Sequence, residues 1–187
     1  MDKPYWLLDL AYPWNGAIQH LHPVLLLGST DTVLVDCGYP GSLERLEAAL
    51  PARGASLAQV TKLVLTHQDD DHMGAAAELR ARYPALQILA SKTEAPYISG
   101  ERKNLRLQQA EAMQERLPEE QKKFGFQFCQ RLRSVPPVAV DGLLHPGEQF
   151  GWGGGCEILS TPGHTPGHIS IRALNGEYLI TGDAAVV

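Results

Sequence analysis

The sequence predicts a mixed α/β fold in a single domain spanning residues 1–187. Three observations carry this expectation. Short apolar runs bounded by turn residues open the chain, helix-forming residues fill its middle, and short apolar runs return near its end with no internal repeat. A length of 187 residues gives room for one sizeable core but not for two ordinary domains. A strongly charged loop lies directly between an apolar, strand-like run and a helix-like one, and loops held by such a scaffold are where chemistry concentrates.

The elements follow in order. Residues 5–36 read as short strands, and LLLGSTDTVLVDCG reads as two strands joined by a turn at Ser29 and Thr30. A helix is predicted from Ser42, as its cap, to Leu50, because Leu43, Leu46 and Leu50 recur at helical spacing before Pro51. Lys62–Thr66 reads as a buried strand that runs into HQDDDHMG; AAAELRARY then has helical composition, and LQILA reads as a strand. Residues 93–132 form a predicted helical insertion, a pair of helices divided by Pro118. Strand patterns resume after SVPPVAVDG, with a hairpin at Asn175-Gly176 between HISIRAL and EYLIT.

Composition excludes several classes of function. Hydrophobic residues make up 44% and charged residues 20%, which excludes disorder. Lys and Arg number 16 against 21 Asp and Glu, a net charge of -5, so no basic field exists to collect nucleic acid. The internal apolar run Val24–Leu27 is too short to span a bilayer, and the start lacks a basic segment followed by a long apolar one, so the expectation is a cytoplasmic protein with no membrane partner. Cys37, Cys129 and Cys156 are odd in number and widely spaced, and are expected to be buried thiols.

The loop His67-Gln68-Asp69-Asp70-Asp71-His72 is the strongest chemical signal. In extended chain His67, Asp69 and Asp71 point the same way, and His72 at the helix start adds a fourth group. An acidic helix N-terminus is the simpler alternative, but a cap accounts for neither histidine, and three adjacent carboxylates repel one another unless a cation offsets them. TPGHTPGH later places His164 and His168 in a stiff turn, and YLITGD ends a strand at Asp183.

Taken together, VLVDCG, THQDDDH, TPGHTPGH and TGD resemble the motifs of the metallo-β-lactamase-fold superfamily, whose members include glyoxalase II, lactonases and β-lactamases. The resemblance runs from about Val24 to the last residue. It implies an αββα sandwich of two mixed β-sheets flanked by helices, and a hydrolase in which a metal-held hydroxide attacks a small ester, lactone, thioester or amide. It implies one metal held by His67, Asp69, His164 and a bridging Asp183, and another by Asp71, His72 and Asp183. Zn2+ is the expected ion, one or two of them, with Fe or Mn as alternatives. Asp71 and Asp183 would hold and orient the nucleophile, and Asp36 would orient a ligand from behind. Two departures stand out. Asp69 replaces the second histidine of the signature, a harder donor that opens an iron-dependent, persulfide dioxygenase-like redox chemistry as an alternative. The family's last metal histidine, expected beyond the bridging Asp, has no counterpart before Val187. The resulting expectation is a truncated C-terminal half whose open edge is covered by a homo-oligomer, or an inactive metal-binding remnant, or, equally, a piece of a longer protein.

Smaller features receive plainer readings. Asp70 is expected to cap the helix, His168 to be a turn residue behind the ligands, and His20, His22 and His145 to lie on the surface, with reach to the site from a neighbouring loop as the second reading for His20 and His22. Phe124 and Phe128 share a helix face and are expected to pack in the core, with a substrate wall as the second reading.

Overall fold

The computed structural model describes residues 3–14, 16–50 and 54–185. The chain opens with β1 (Tyr5–Leu7), β2 (Leu10–Trp14), β3 (Ala17–Leu21), β4 (Val24–Leu27) and β5 (Thr32–Val35), then helix α1 (Leu43–Ala49). Next come β6 (Lys62–Val64), the short α2 (Asp70–Met73), α3 (Ala76–Arg82) and β7 (Gln87–Ser91). Helices α4 (Ala95–Ile98), α5 (Leu105–Gln114) and α6 (Glu119–Arg133) follow, and then β8 (Gly142–Leu144), β9 (Gln149–Phe150), β10 (Cys156–Ser160), β11 (Ile169–Ala173) and β12 (Leu179–Ile180).

Two sheets make the sandwich. The larger has the order β1-β4-β5-β6-β7-β8 and is mixed: β1, β4 and β5 pair antiparallel, while β5 to β8 run parallel. The smaller, β12-β11-β10-β9, pairs antiparallel throughout. Strands β2 and β3 form a separate hairpin. The period-2 alternation of strand side chains sorts the residues of the larger sheet between two cores. Leu25, Leu34, Leu63 and Ile88 point to a layer containing Leu46 of α1 and Leu79 of α3. Their neighbours Leu26, Val33, Val64 and Leu89 pack against Ile158, Ile169, Ile171 and Trp152 between the sheets. Burial on both faces is why these strands read as continuous apolar runs rather than as alternating ones. The described residues supply the helical layer on the larger sheet and both β layers; on the outward face of the smaller sheet, Arg172 and Glu157 form a cross-strand ion pair at 2.6 Å.

Several local expectations change. Ser42 precedes α1 in helical backbone geometry and makes no cap; its hydroxyl donates to the Tyr39 carbonyl at 2.6 Å and meets the Tyr12 hydroxyl. Pro51 lies outside the described residues. The segment 93–132 holds three helices, and with its flanks it is the crossover joining parallel β7 to β8. Its own small core is Leu107, Ala110, Cys129 and Leu132, with Phe128 against it. Phe124 is 63% exposed and so is not a core residue. Beside it, Gly125 sits against α5 so closely that a Cβ there would lie 1.9 Å from Gln114 Oε1, which is why the helices meet at a glycine rather than at an aromatic ring. All three cysteines are free and buried, as expected. Among the described residues no helix is long and apolar enough to cross a membrane.

Candidate metal centre

The site lies where the parallel strands end. After β5 the chain turns at Asp36, whose φ of +58 is unusual for a residue other than glycine. This turn aims the carboxylate under the next strand. Asp36 Oδ1 accepts from the Thr66 N–H at 2.9 Å, and Oδ2 accepts from the Thr66 hydroxyl at 2.8 Å. Oδ2 also accepts from His72 Nδ1 at 2.8 Å. Asp36 thus fixes one end of the charged loop and turns His72 Nε2 toward the site, the orienting role expected of it.

The bonds of Thr66 also determine the tautomer of His67. The Thr66 hydroxyl gives its proton to Asp36, so its contact of 3.0 Å with His67 Nδ1 requires the imidazole to be the donor there. A neutral His67 must then carry a bare lone pair on Nε2. That atom is buried and has no hydrogen-bond partner, which is costly unless something else occupies the lone pair.

Five of the six predicted site residues form two groups around it, and the sixth, Asp71, lies beside His72. His67 Nε2 lies 3.9 Å from Asp69 Oδ2 and 4.0 Å from Asp183 Oδ2. His164 Nε2 lies 3.0 Å from Asp69 Oδ2 and 3.5 Å from Asp183 Oδ2. On the other side of Asp183, His72 Nε2 is 3.1 Å from Oδ1 and 4.0 Å from Asp71 Oδ2. Two groups therefore have the spacing to hold a cation: His67, Asp69 and His164, and His67, His72 and Asp183. The spacing leaves Asp71 outside both triads but facing His72. His145 belongs to neither group.

The electrostatics fit the same picture. Burial pulls the His67 imidazole far below its ordinary range, and the surrounding His72, His168 and His164 add to this, so it stays neutral. Burial also acts against a charged His72, but Asp36, Asp183 and Asp71 outweigh it and hold that imidazole well above its ordinary value. The hydrogen bond from His72 keeps the Asp183 carboxyl well below the usual carboxylate range. Burial pushes Asp71 up.

Asp70 does not cap the helix. Its Oδ2 lies 3.1 Å from Arg131 Nε, linking the loop to α6, and burial raises its carboxyl to about 6 even with that guanidinium alongside. His168 is fully buried behind the site: its Nε2 accepts from the Asp183 N–H at 3.1 Å, its Nδ1 meets the Thr161 hydroxyl at 2.8 Å, and its ring lies 5.0 Å from that of His67. His20 and His22 lie on the surface, as read, and also face the site from a neighbouring segment. They are half-exposed and line a cavity of about 490 Å³ together with Asp71, His72 and Asp183. Glu94 and Gln68 were not singled out from the sequence, yet both are fully buried beside the ligand loops. Only the folded chain brings Glu94 to them, and no local pattern around it announces this.

The class is thus a mixed α/β sandwich of two sheets with a candidate His/Asp metal centre at the ends of its parallel strands. Residues 21–187 match the Metallo-beta-lactamase superfamily, and the chain belongs to that superfamily. It is 27% identical over 156 residues to a probable metallo-hydrolase of Bacillus subtilis (strain 168), YflN, covering 82% of this chain and 55% of that protein. Its identity to a hydroxyacylglutathione hydrolase of Stenotrophomonas maltophilia (strain R551-3) is 25% over 126 residues, 67% of this chain and 33% of that one. Among solved structures, a metallo-beta-lactamase family protein from Thermus thermophilus superposes with a TM-score of 0.73 at 22% identity, over 98% of this chain and 60% of the other. The chain thus spans roughly half the length of the curated relatives it matches, 55% and 57% for the two Bacillus proteins.

Proposed function

We propose that this chain acts as a metal-dependent hydrolase on a small ester, lactone, thioester or amide, with Zn2+ as the leading ion. The observation that carries the reading is the buried, unpartnered Nε2 of His67 at the meeting point of two His/Asp groups. A lone pair without a donor, next to further imidazoles and several carboxylates, matches what a divalent cation requires and what an apolar site does not. His67, Asp69 and His164 would hold one ion, Asp71 and His72 a second, and Asp183 would contribute to both. Bound metal supplies Lewis-acid polarisation of a carbonyl and a water whose pKa falls from ~15.7 toward ~7.

The protein's own groups do the remaining work. Asp183 spans the two groups and is held at both ends, its backbone N–H by His168 and its carboxylate by His72. Together with Asp71 it accepts hydrogen bonds from the attacking water and orients it. Asp36 keeps the His72 Nδ1 proton in place, so that Nε2 faces the site. A small substrate would enter by the cavity beside Asp71, whose walls include Leu21, Pro23 and Ile180 and the packed rings of Tyr5 and Tyr178 at 4.6 Å.

The test is metal analysis of protein purified without added metal, followed by ester, lactone and thioester hydrolysis assays with Zn2+, Mn2+ or Fe2+ supplied. Zinc content with metal-restored hydrolysis is expected. Iron content with oxygen uptake would move the reading to redox chemistry, which the carboxylate at Asp69 accommodates. A chain that binds none of these ions would overturn the proposal.

A further inference from the structure

We propose that Glu94 is a positioning residue: its buried carboxylate is the common acceptor that docks the loop bearing His164 onto the loop bearing His67 and Asp69. The proposal rests on the metal-dependent reading above and adds to it a group that touches neither metal nor substrate.

Three segments meet at this side chain. Glu94 Oε1 accepts from the Thr165 hydroxyl at 2.7 Å and from the Gly167 N–H at 2.9 Å, both in the His164 turn. Oε2 accepts from Gln68 Nε2 at 3.1 Å, between His67 and Asp69. Gln68 continues outward: its Oε1 accepts from the Leu105 N–H at 2.7 Å, and its carbonyl accepts from Asn104 Nδ2 at 2.9 Å, at the start of α5. A second contact seats the same turn, where the Ser91 hydroxyl donates to the Gly167 carbonyl at 2.7 Å. The fit leaves no slack. A Cβ on Gly167 would come within 2.6 Å of Thr93 Cβ and 2.9 Å of Glu94 N.

The chemistry explains why a carboxylate stands here. The chain of hydrogen bonds has a direction. Leu105 N–H gives to Gln68, and Gln68 gives to Glu94, while Thr165 and Gly167 give to it from the other side. The group at the end must accept on both oxygens, which an ionised carboxylate does and an amide cannot. Every group that bonds it is neutral. Burial pushes its carboxyl upward, and the donors from Thr165, Gly167 and Gln68 work against that. A fully buried, singly charged carboxylate with only neutral donors is retained where the hydrogen bonds it collects are worth its desolvation, and here they join the two loops that carry His67, Asp69 and His164.

The donor–acceptor direction also supplies the test. Glu94→Gln keeps size and removes one acceptor, so two N–H groups must face each other. Turning either amide only moves the clash, to Gly167 or to Leu105. Adding Gln68→Glu moves the charge by one hydrogen-bond length and lets every donor find an acceptor again. Zn2+ titration against a chromophoric chelator should show wild type binding tightly, Glu94→Gln weaker by about 10- to 100-fold, as is typical when a group behind the ligands is lost, and the double variant recovering most of that loss. Exchange of the Gly167 amide in metal-free protein should follow the same order, slow, fast, slow. If Glu94→Gln does not fold, Thr165→Val takes its place and should weaken zinc binding by about 10-fold. Zinc binding and Gly167 exchange at wild-type levels in folded Glu94→Gln would overturn the proposal, as would a double variant no better than the single one. A wild type that binds neither zinc, manganese nor iron yet shows the predicted exchange pattern would sink the hydrolase reading and leave the docking role standing.

Discussion

Replacing His168 with Phe keeps a ring of similar volume in a fully buried position but removes both of its hydrogen bonds, to the Asp183 N–H at 3.1 Å and to the Thr161 hydroxyl at 2.8 Å. The wiring shows what is lost. The Asp183 N–H needs an acceptor, so His168 Nε2 is unprotonated and Nδ1–H donates to Thr161; that hydroxyl in turn meets Ser170 at 2.8 Å, and the Ser170 hydroxyl reaches the Thr181 carbonyl at 3.3 Å. The relay therefore returns to the residue just before Gly182 and Asp183, and closes a ring around the carboxylate that lies 3.1 Å from His72, 3.5 Å from His164 and 4.0 Å from His67. Leaving the Asp183 N–H without an acceptor and the Thr161 hydroxyl without a donor costs up to about 1–3 kcal/mol each, and both groups are only part-buried, so metal-free His168→Phe should lose about 2–4 kcal/mol of stability. A misplaced Asp183 should also weaken zinc by about 10- to 100-fold. At free zinc near 100 times the wild-type Kd, wild type gains about 2.7 kcal/mol from binding, whereas a variant about 30-fold weaker gains only about 0.9. Urea unfolding with and without buffered zinc reads the two losses separately. His168→Gln, which keeps an acceptor for Asp183, should recover part of the zinc increment. A Phe variant that is less stable but gains as much from zinc as wild type would refute the positioning role and reduce His168 to a packing residue.

Further expectations follow from neighbouring geometry. Gly182 has φ +49, and a Cβ there would stand 2.6 Å from His168 Nε2 and 3.0 Å from Thr66 Oγ1, so Gly182→Ala should lower stability by at least about 1–2 kcal/mol and weaken zinc binding as well; a thermal melt matching wild type would contradict this. Asp69→His removes one of three carboxylates from the donor set and supplies a softer ligand, so direct metal competition should shift toward zinc over manganese; an unchanged preference would show that the charge at this position does not set metal choice. β1 and β12 end their sheets, and Leu7 and Leu179 on them are 55% and 56% exposed. Unpaired apolar strand edges recruit other chains, so sedimentation at micromolar concentration should show a self-associated species, and a strict monomer would rule it out.

The candidate ligands can be picked out of the sequence because metal chemistry restricts which residues can serve and motif spacing keeps them close. His67, Asp69, Asp71 and His72 lie within one loop at a strand end, and His164 and Asp183 lie in short signatures of their own. The apolar runs of β4 to β7 were equally plain, since burial on both faces removes the polar alternation that would blur them. What surrounds the ligands was not legible. Ser42 and Asp70 have the composition of caps, yet Ser42 bonds Tyr39 and Asp70 meets Arg131, because long-range partners offered by the fold outcompete a local hydrogen bond. Phe124 has the composition of a core residue and lies in the open, since α6 turns Cys129 and Leu132 inward instead. Glu94 joins residues 26 and 71 positions away, Gln68 and Thr165, and His22 lines the cavity of Asp183 across the chain. Local spacing encodes what one loop can hold, whereas a buried hydrogen bond between distant segments depends on both backbones being in place, and only the folded chain brings them there.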